Sequence, residues 1–135
     1  MKRLLFMGLI SFCLIAVHAQ DDSYIMYETM NIKPKNDKLE AFNTAMTVHN
    51  KKFHASGAAG VRIFYIVNGP YEGQYKWVMG PLTYTDLDNR PDDKAHTDDW
   101  NKVMVNVADA SKLEYWKRSK ELTYNPEGSE KFEKR

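Results

Sequence analysis

Residues 61–67, VRIFYIV, carry apolar side chains on both sides of an extended chain. Successive side chains of a strand point to opposite faces, so Val61, Ile63, Tyr65 and Val67 share one face. Phe64 and Ile66 share the other with Arg62. Residues 74–82 repeat the theme, with Tyr75, Trp77 and Met79 on one face and Val78 opposite. A sheet covered by helices on one side alone would alternate apolar and polar. Both faces must therefore be covered, and a partner sheet from a second copy or a ligand cavity would do it.

The remaining pattern supplies the helices. Residues 24–33, YIMYETMNIK, read as a strand closed by Pro34. Asn36 or Asp37 can cap a helix, with Glu40 three residues after Asp37 as in a capping box. Leu39, Phe42, Met46, His49 and Phe53 then recur at steps of three and four, one face of a helix running to about Ala55 and stopped by Ser56-Gly57. Asn68-Gly69-Pro70 with Gly73 marks the turn of a hairpin. Residues 83–94 are polar and read as a surface loop. Trp100, Val103, Met104, Val107 and Ser111 trace a second helical face, with Asp98 and Asp99 near its start. The segment 112–122 suits either helix or strand; the expectation is helix to about Arg118 and a short last strand at 122–125. The order strand, helix, strand, strand, helix, strand predicts an α+β, ferredoxin-like βαββαβ sandwich: a four-stranded antiparallel sheet, two helices on one face, dimerising through the other.

The start of the chain points to export. Lys2 and Arg3 precede the apolar run 4–17, and Val17-His18-Ala19 makes a small-residue cleavage site. That is the layout of a signal peptide, and the run is shorter than the about 20 apolar residues of a membrane span. Cleavage after Ala19 leaves a single domain over residues 20–125, a flexible tail over 126–135, and no stable membrane anchor. The destination is periplasmic or extracellular. Cys13 lies inside the apolar run, and Phe12 before it does not suit a lipid-attachment site. The mature chain thus has no cysteine, hence neither a disulfide framework nor a thiol nucleophile. The whole chain has 19 Lys and Arg against 18 Asp and Glu. Without Lys2 and Arg3 the balance is slightly acidic, which makes nucleic acid an unsuitable partner.

The order of elements and the doubly apolar sheet resemble the dimeric α+β barrel superfamily, which includes small cofactor-free monooxygenases of the antibiotic-biosynthesis type and exported barrels of unknown function. The segments that carry the resemblance are GQYKWVMGP at 73–81, HTDDW at 96–100 and ELTYNPE at 121–127. It implies two four-stranded sheets packed face to face in a homodimer, with a pocket between each sheet and its own helices. It implies no particular reaction.

Among candidate site residues His49 stands first. It occupies a core-facing slot on the first helix, where its ring can serve as a general base, act as an axial haem ligand, or simply be a hydrogen-bonded core residue. His54 follows five residues later, and a helix turns about 500° over that step, so the two rings should point apart. His54 then reads as a surface group at the helix end, and no metal site is expected. His96 and Trp100, four apart, share a face if the second helix starts early; Asp98 or Asp99 would orient the His96 ring, or His96 belongs to a solvated helix start. Tyr27, Tyr65, Tyr75 and Trp77 can line a pocket for a flat molecule or pack as ordinary strand residues. The acidic residues 86–93 lack the glycine and distal glutamate of a calcium loop, Arg90 standing at the third ligand position. No P-loop, dinucleotide glycine pattern or Ser-His-Asp order is present, and no cofactor is expected. The expected function is binding of a small aromatic or apolar ligand. The rivals are a cofactor-independent monooxygenase-like enzyme using His49 and a non-catalytic envelope interaction module.

Overall fold

The computed structural model describes residues 24–124. Nine elements follow one another: β1 (Met26–Pro34), a 3-10 turn (Asn36–Lys38), α1 (Leu39–Phe53), β2 (Val61–Tyr65), β3 (Tyr75–Leu82), α2 (Tyr84–Asp88), α3 (Lys94–Met104), β4 (Val107–Ala110) and β5 (Glu114–Lys117). The strands form one antiparallel sheet in the order β2-β3-β1-β4, with β5 also paired to β1. This is the ferredoxin-like α+β arrangement, and the sheet is open.

The last strand of the βαββαβ plan is split in two. β4 pairs the carboxyl end of β1 through Ile32↔Ala110, while β5 pairs its amino end through Tyr27↔Trp116. Between them the Asn31 N–H donates to Ser111 Oγ at 3.0 Å, and the Ser111 N–H donates to the Asn31 carbonyl at 2.9 Å. The expected helix to Arg118 therefore ends at Met104, where the Asn106 amide side chain donates to the Lys102 carbonyl at 2.9 Å. The reason is the central position of β1, whose backbone groups need partners on both edges. Its outer edge overrides the helical period read over 105–118. The expected strand at 122–125 is absent over 122–124, where the chain turns; Asn125 lies outside the described residues, as do the leader and the tail.

α1 lays Phe42, Met46 and His49 on the sheet, but Leu39 is 46% exposed because the helix proper only begins there, after the 3-10 turn. The capping box expected at Asp37 is not formed: the residue preceding α1 is Lys38, with no side-chain cap. A capping box does occur in the segment expected to be a loop, where Thr83 and Asp86 cap α2 reciprocally. Met26, Ile32, Phe42, Met46, Trp77, Met79, Leu82 and Val103 are all buried and constitute the core between sheet and helices. Gly80 has φ +129°, and a Cβ there would stand 2.9 Å from the Met26 carbonyl oxygen, so only glycine permits the close approach of β3 to β1.

The opposite face of the sheet carries Tyr27, Phe64, Val78 and Trp116 among Arg62, Lys76 and Glu114. Phe64 and Trp116 are 53% and 56% exposed. On the helix side, β2 lies beyond the cover of the helices, leaving Tyr65 exposed as well. No helix among the described residues is long and apolar enough to cross a membrane.

Candidate functional site

His49, His54 and His96 meet at one point, each offering a ring nitrogen within 4.8 Å of the others'. They are every histidine downstream of His18. His49 comes from the last turns of α1, His96 from the first turn of α3, and His54 from the residue directly after α1. The expectation that His49 and His54 point apart is overturned here. It assumed that the helical rotation continues through residue 54, whereas α1 stops at Phe53 and His54 takes a non-helical φ of −132°. A short return loop then holds it inward: the His54 carbonyl accepts from the Val61 N–H at 3.0 Å, and Gly60 N–H donates to the Gly57 carbonyl at 3.0 Å. His54 is 6% exposed, so it is a buried group and not a surface one.

Two of the rings are oriented through Nδ1 by a neighbouring acceptor. His49 Nδ1 lies 3.2 Å from Asp99 Oδ2, and His54 Nδ1 lies 2.8 Å from the Ala59 carbonyl. Asp99, expected to orient His96, thus orients His49. His96 is placed by Asp93, whose carboxylate caps α3 by accepting the His96 N–H at 2.7 Å. Since α3 begins at Lys94, His96 and Trp100 do share a face. His54 Nε2 and His96 Nε2 are 3.2 Å apart. The fully buried His49 has no partner for its Nε2.

Burial dominates the electrostatics. Desolvation lowers the His49 pKa to about 4, against the opposing hydrogen bond to Asp99, and the neighbouring His54 and His96 rings lower it further. Desolvation likewise lowers the pKa values of His54 and His96. For Asp99, desolvation pushes upward, but the Lys102 ammonium, 3.2 Å from Oδ1, and the His49 ring outweigh it and hold the carboxyl below its ordinary value. All three imidazoles are therefore neutral at pH 7, and Asp99 is ionised.

The histidines line a cavity of about 250 Å³ between sheet and helices, bordered also by Met30, Trp77, Met79, Trp100 and Leu113. Trp77 is 5% exposed, and its Nε1–H has no partner. Glu28 and Arg90 line it too, joined by an ion pair of 2.9 Å, so the residue that broke the calcium pattern instead reaches over the cavity. Of the aromatic candidates, Trp77 and Trp100 line the cavity. Tyr65 and Tyr75 meet edge-to-face with centroids 5.3 Å apart, with Phe42 against Tyr75, and are not among its lining residues. Tyr27 faces the other side of the sheet. An apolar cavity of about 150 Å³ admits benzene, so this volume suits one ring with short substituents and is too small for haem.

Sequence reasoning put His49 in a core-facing slot, left His96 between a pocket mouth and a solvated helix start, attached Asp99 to His96 instead of His49, and took His54 for a surface group. The structure sets His49, His54, His96, Trp77 and Trp100 along one cavity. The composition held one usable signal: three histidines in a mature chain of modest size, two of them flanking a helix end.

No family model matches the chain, and no curated protein does. Two solved structures of a protein from Agrobacterium tumefaciens, Atu4242, share its fold. One matches with a TM-score of 0.55 and 15% identity over 70% of this chain and 94% of that one. The second, described as a nipsnap family protein with unknown function, matches with a TM-score of 0.56 and 15% identity over 71% and 89%. At that identity the likeness establishes the fold alone.

Proposed function

We propose that this chain is an exported protein of the dimeric α+β barrel type that holds a small, flat molecule in the cavity beneath α1 and α3. The observation that carries the reading is the pairing of a mostly apolar cavity, open at its mouth, with two unpartnered buried polar atoms, the acceptor His49 Nε2 and the donor Trp77 Nε1–H. Buried polar atoms ordinarily have partners, and a ligand with one donor and one acceptor would satisfy both. Export rests on the leader pattern of residues 1–19. Pairing of two copies rests on Tyr27, Phe64 and Trp116, which place aromatic surface on the sheet face remote from the helices.

Native mass spectrometry of the mature chain, residues 20–135, purified from exporting cells, tests these points together. The expected result is a dimer carrying one organic molecule per subunit, with Trp116→Glu giving monomers. A monomeric mass for the unaltered chain at micromolar concentration would end the dimer, and an empty dimer would end the ligand.

One observation favours a second, enzymatic reading. A carboxylate orienting a buried imidazole with a free Nε2 is the arrangement of a general base. With its pKa near 4, however, His49 is a weak base, and its titration falls well below neutrality. Turnover of a phenolic substrate that vanished in His49→Ala would support this reading; unchanged turnover would remove it.

A further inference from the structure

We propose that His49, His54 and His96 form a three-nitrogen site for a divalent transition-metal ion. The proposal goes beyond the organic-ligand reading and does not need it.

The second neighbours of the rings settle which nitrogens are available. Asp99 Oδ2 and the Ala59 carbonyl are acceptors only, so His49 and His54 each keep a proton on Nδ1. Both Nε2 lone pairs are then bare. An acceptor on the far nitrogen of each ring is the support that metal-bound histidines use to fix tautomer and orientation.

The spacing fits as well. Nitrogens about 2.0–2.1 Å from a tetrahedral zinc ion lie about 3.4 Å from one another. His54 Nε2 and His96 Nε2 are already 3.2 Å apart, and the whole set lies within 4.8 Å. One nitrogen from His49 on α1, one from His54 just after it and one from His96 at the start of the facing α3 thus converge on one point.

A purely hydrogen-bonded cluster accounts for less. His96 Nε2–H can donate to His54 Nε2, which satisfies those two atoms. His49 Nε2 then remains an acceptor with no donor, in a side chain with 0% exposure. A cation at the centre satisfies all three nitrogens. The charge also suits: the Asp99 carboxylate backs His49, and Asp92 lines the cavity, while the opposing Arg90 guanidinium is held by Glu28.

Three neutral imidazoles form a borderline donor set that selects zinc, cobalt, nickel or copper over magnesium and calcium. Three protein ligands leave a coordination position for water or for a donor atom of a molecule in the cavity, as in sites where a metal acts on a bound partner.

The test uses residues 20–135 carrying an affinity tag without histidine, stripped with chelator and titrated with zinc chloride and, separately, cobalt chloride. No histidine lies elsewhere in that chain to bind in competition. The expected result is about one equivalent bound, with the visible spectrum of four-coordinate cobalt. At zinc concentrations 100-fold above Kd the thermal midpoint should rise by about 10 °C. Asp99→Asn should weaken binding about 10–100-fold by loosening the His49 ring. His96→Ala, at the half-buried member of the set, should abolish stoichiometric binding while the far-UV circular dichroism remains that of the unaltered chain.

Binding below about a tenth of an equivalent by folded, unaltered protein would overturn the proposal. Undiminished binding in both variants would do the same, since the ion would then sit elsewhere. Because the readout is the ion itself, an absent organic ligand in native mass spectrometry leaves this result untouched, and an absent ion leaves the cavity reading untouched.

Discussion

Phe42→Ala should lower the unfolding free energy by about 3–5 kcal/mol, the range for truncating a buried aromatic ring. Phe42 is 1% exposed and joins α1 to the sheet, its ring 5.4 Å from that of Tyr75. A domain of this size is stable by about 5–15 kcal/mol, so the variant would lose a large part of its stability. Urea denaturation followed by circular dichroism measures the loss. Leu39→Ala is the informative companion. The sequence stripe puts both residues on one face, but Leu39 is 46% exposed, and its truncation should cost no more than about 1 kcal/mol. Equal losses from the two variants would show that α1 is rotated relative to the arrangement described.

Acid should destabilise the protein well above the range where carboxylates titrate. His49 has a folded-state pKa of about 4, against 6.5 in the unfolded chain. Between those values the unfolded chain takes up a proton that the folded protein refuses, so stability falls as pH drops from about 6.5 to 4. The contribution of His49 alone is about 2–3 kcal/mol, the lower figure allowing for solvent screening through the cavity mouth. His54 and His96 shift in the same direction and steepen the fall. Asp99 acts elsewhere: its depressed pKa gives stability present at neutral pH and lost only below its ordinary value of 3.8. Urea midpoints at pH 7.5, 6, 5 and 4.5, in the presence of chelator, trace this curve. His49→Gln should flatten it; a stability curve that is level from pH 7 to 5 in the unaltered chain would contradict the buried, neutral ring.

Local rules determined much of the architecture directly from the sequence. The period of two in 61–67 and 74–82 and the stripe Phe42–Met46–His49 each follow from backbone geometry and burial within one element, so β2, β3 and α1 were legible, as was the ferredoxin-like order. The same local reasoning set His49 in a core-facing slot of α1 and put His96 and Trp100 four apart on one helical face. What failed depended on distant partners. Residues 107–117 have a helical period, but the free edge of β1 draws them into β4 and β5, because unpaired backbone groups beside a buried strand cost more than a lost helical turn.

The assembly of the site was decided at that tertiary level, with the turn of the chain after α1 as its local part. Nothing local indicates that α1 stops one residue before His54, that the Ala59 carbonyl turns the His54 ring inward, or that Asp99 reaches His49 across 50 positions of sequence. Sequence spacing fixes angles only while a helix lasts. The convergence of the three histidines comes from the helix end and the return loop at 54–60, held by bonds between residues close in sequence, together with the packing of α3 against α1, which brings His96 and Asp99 to His49 from far along the chain.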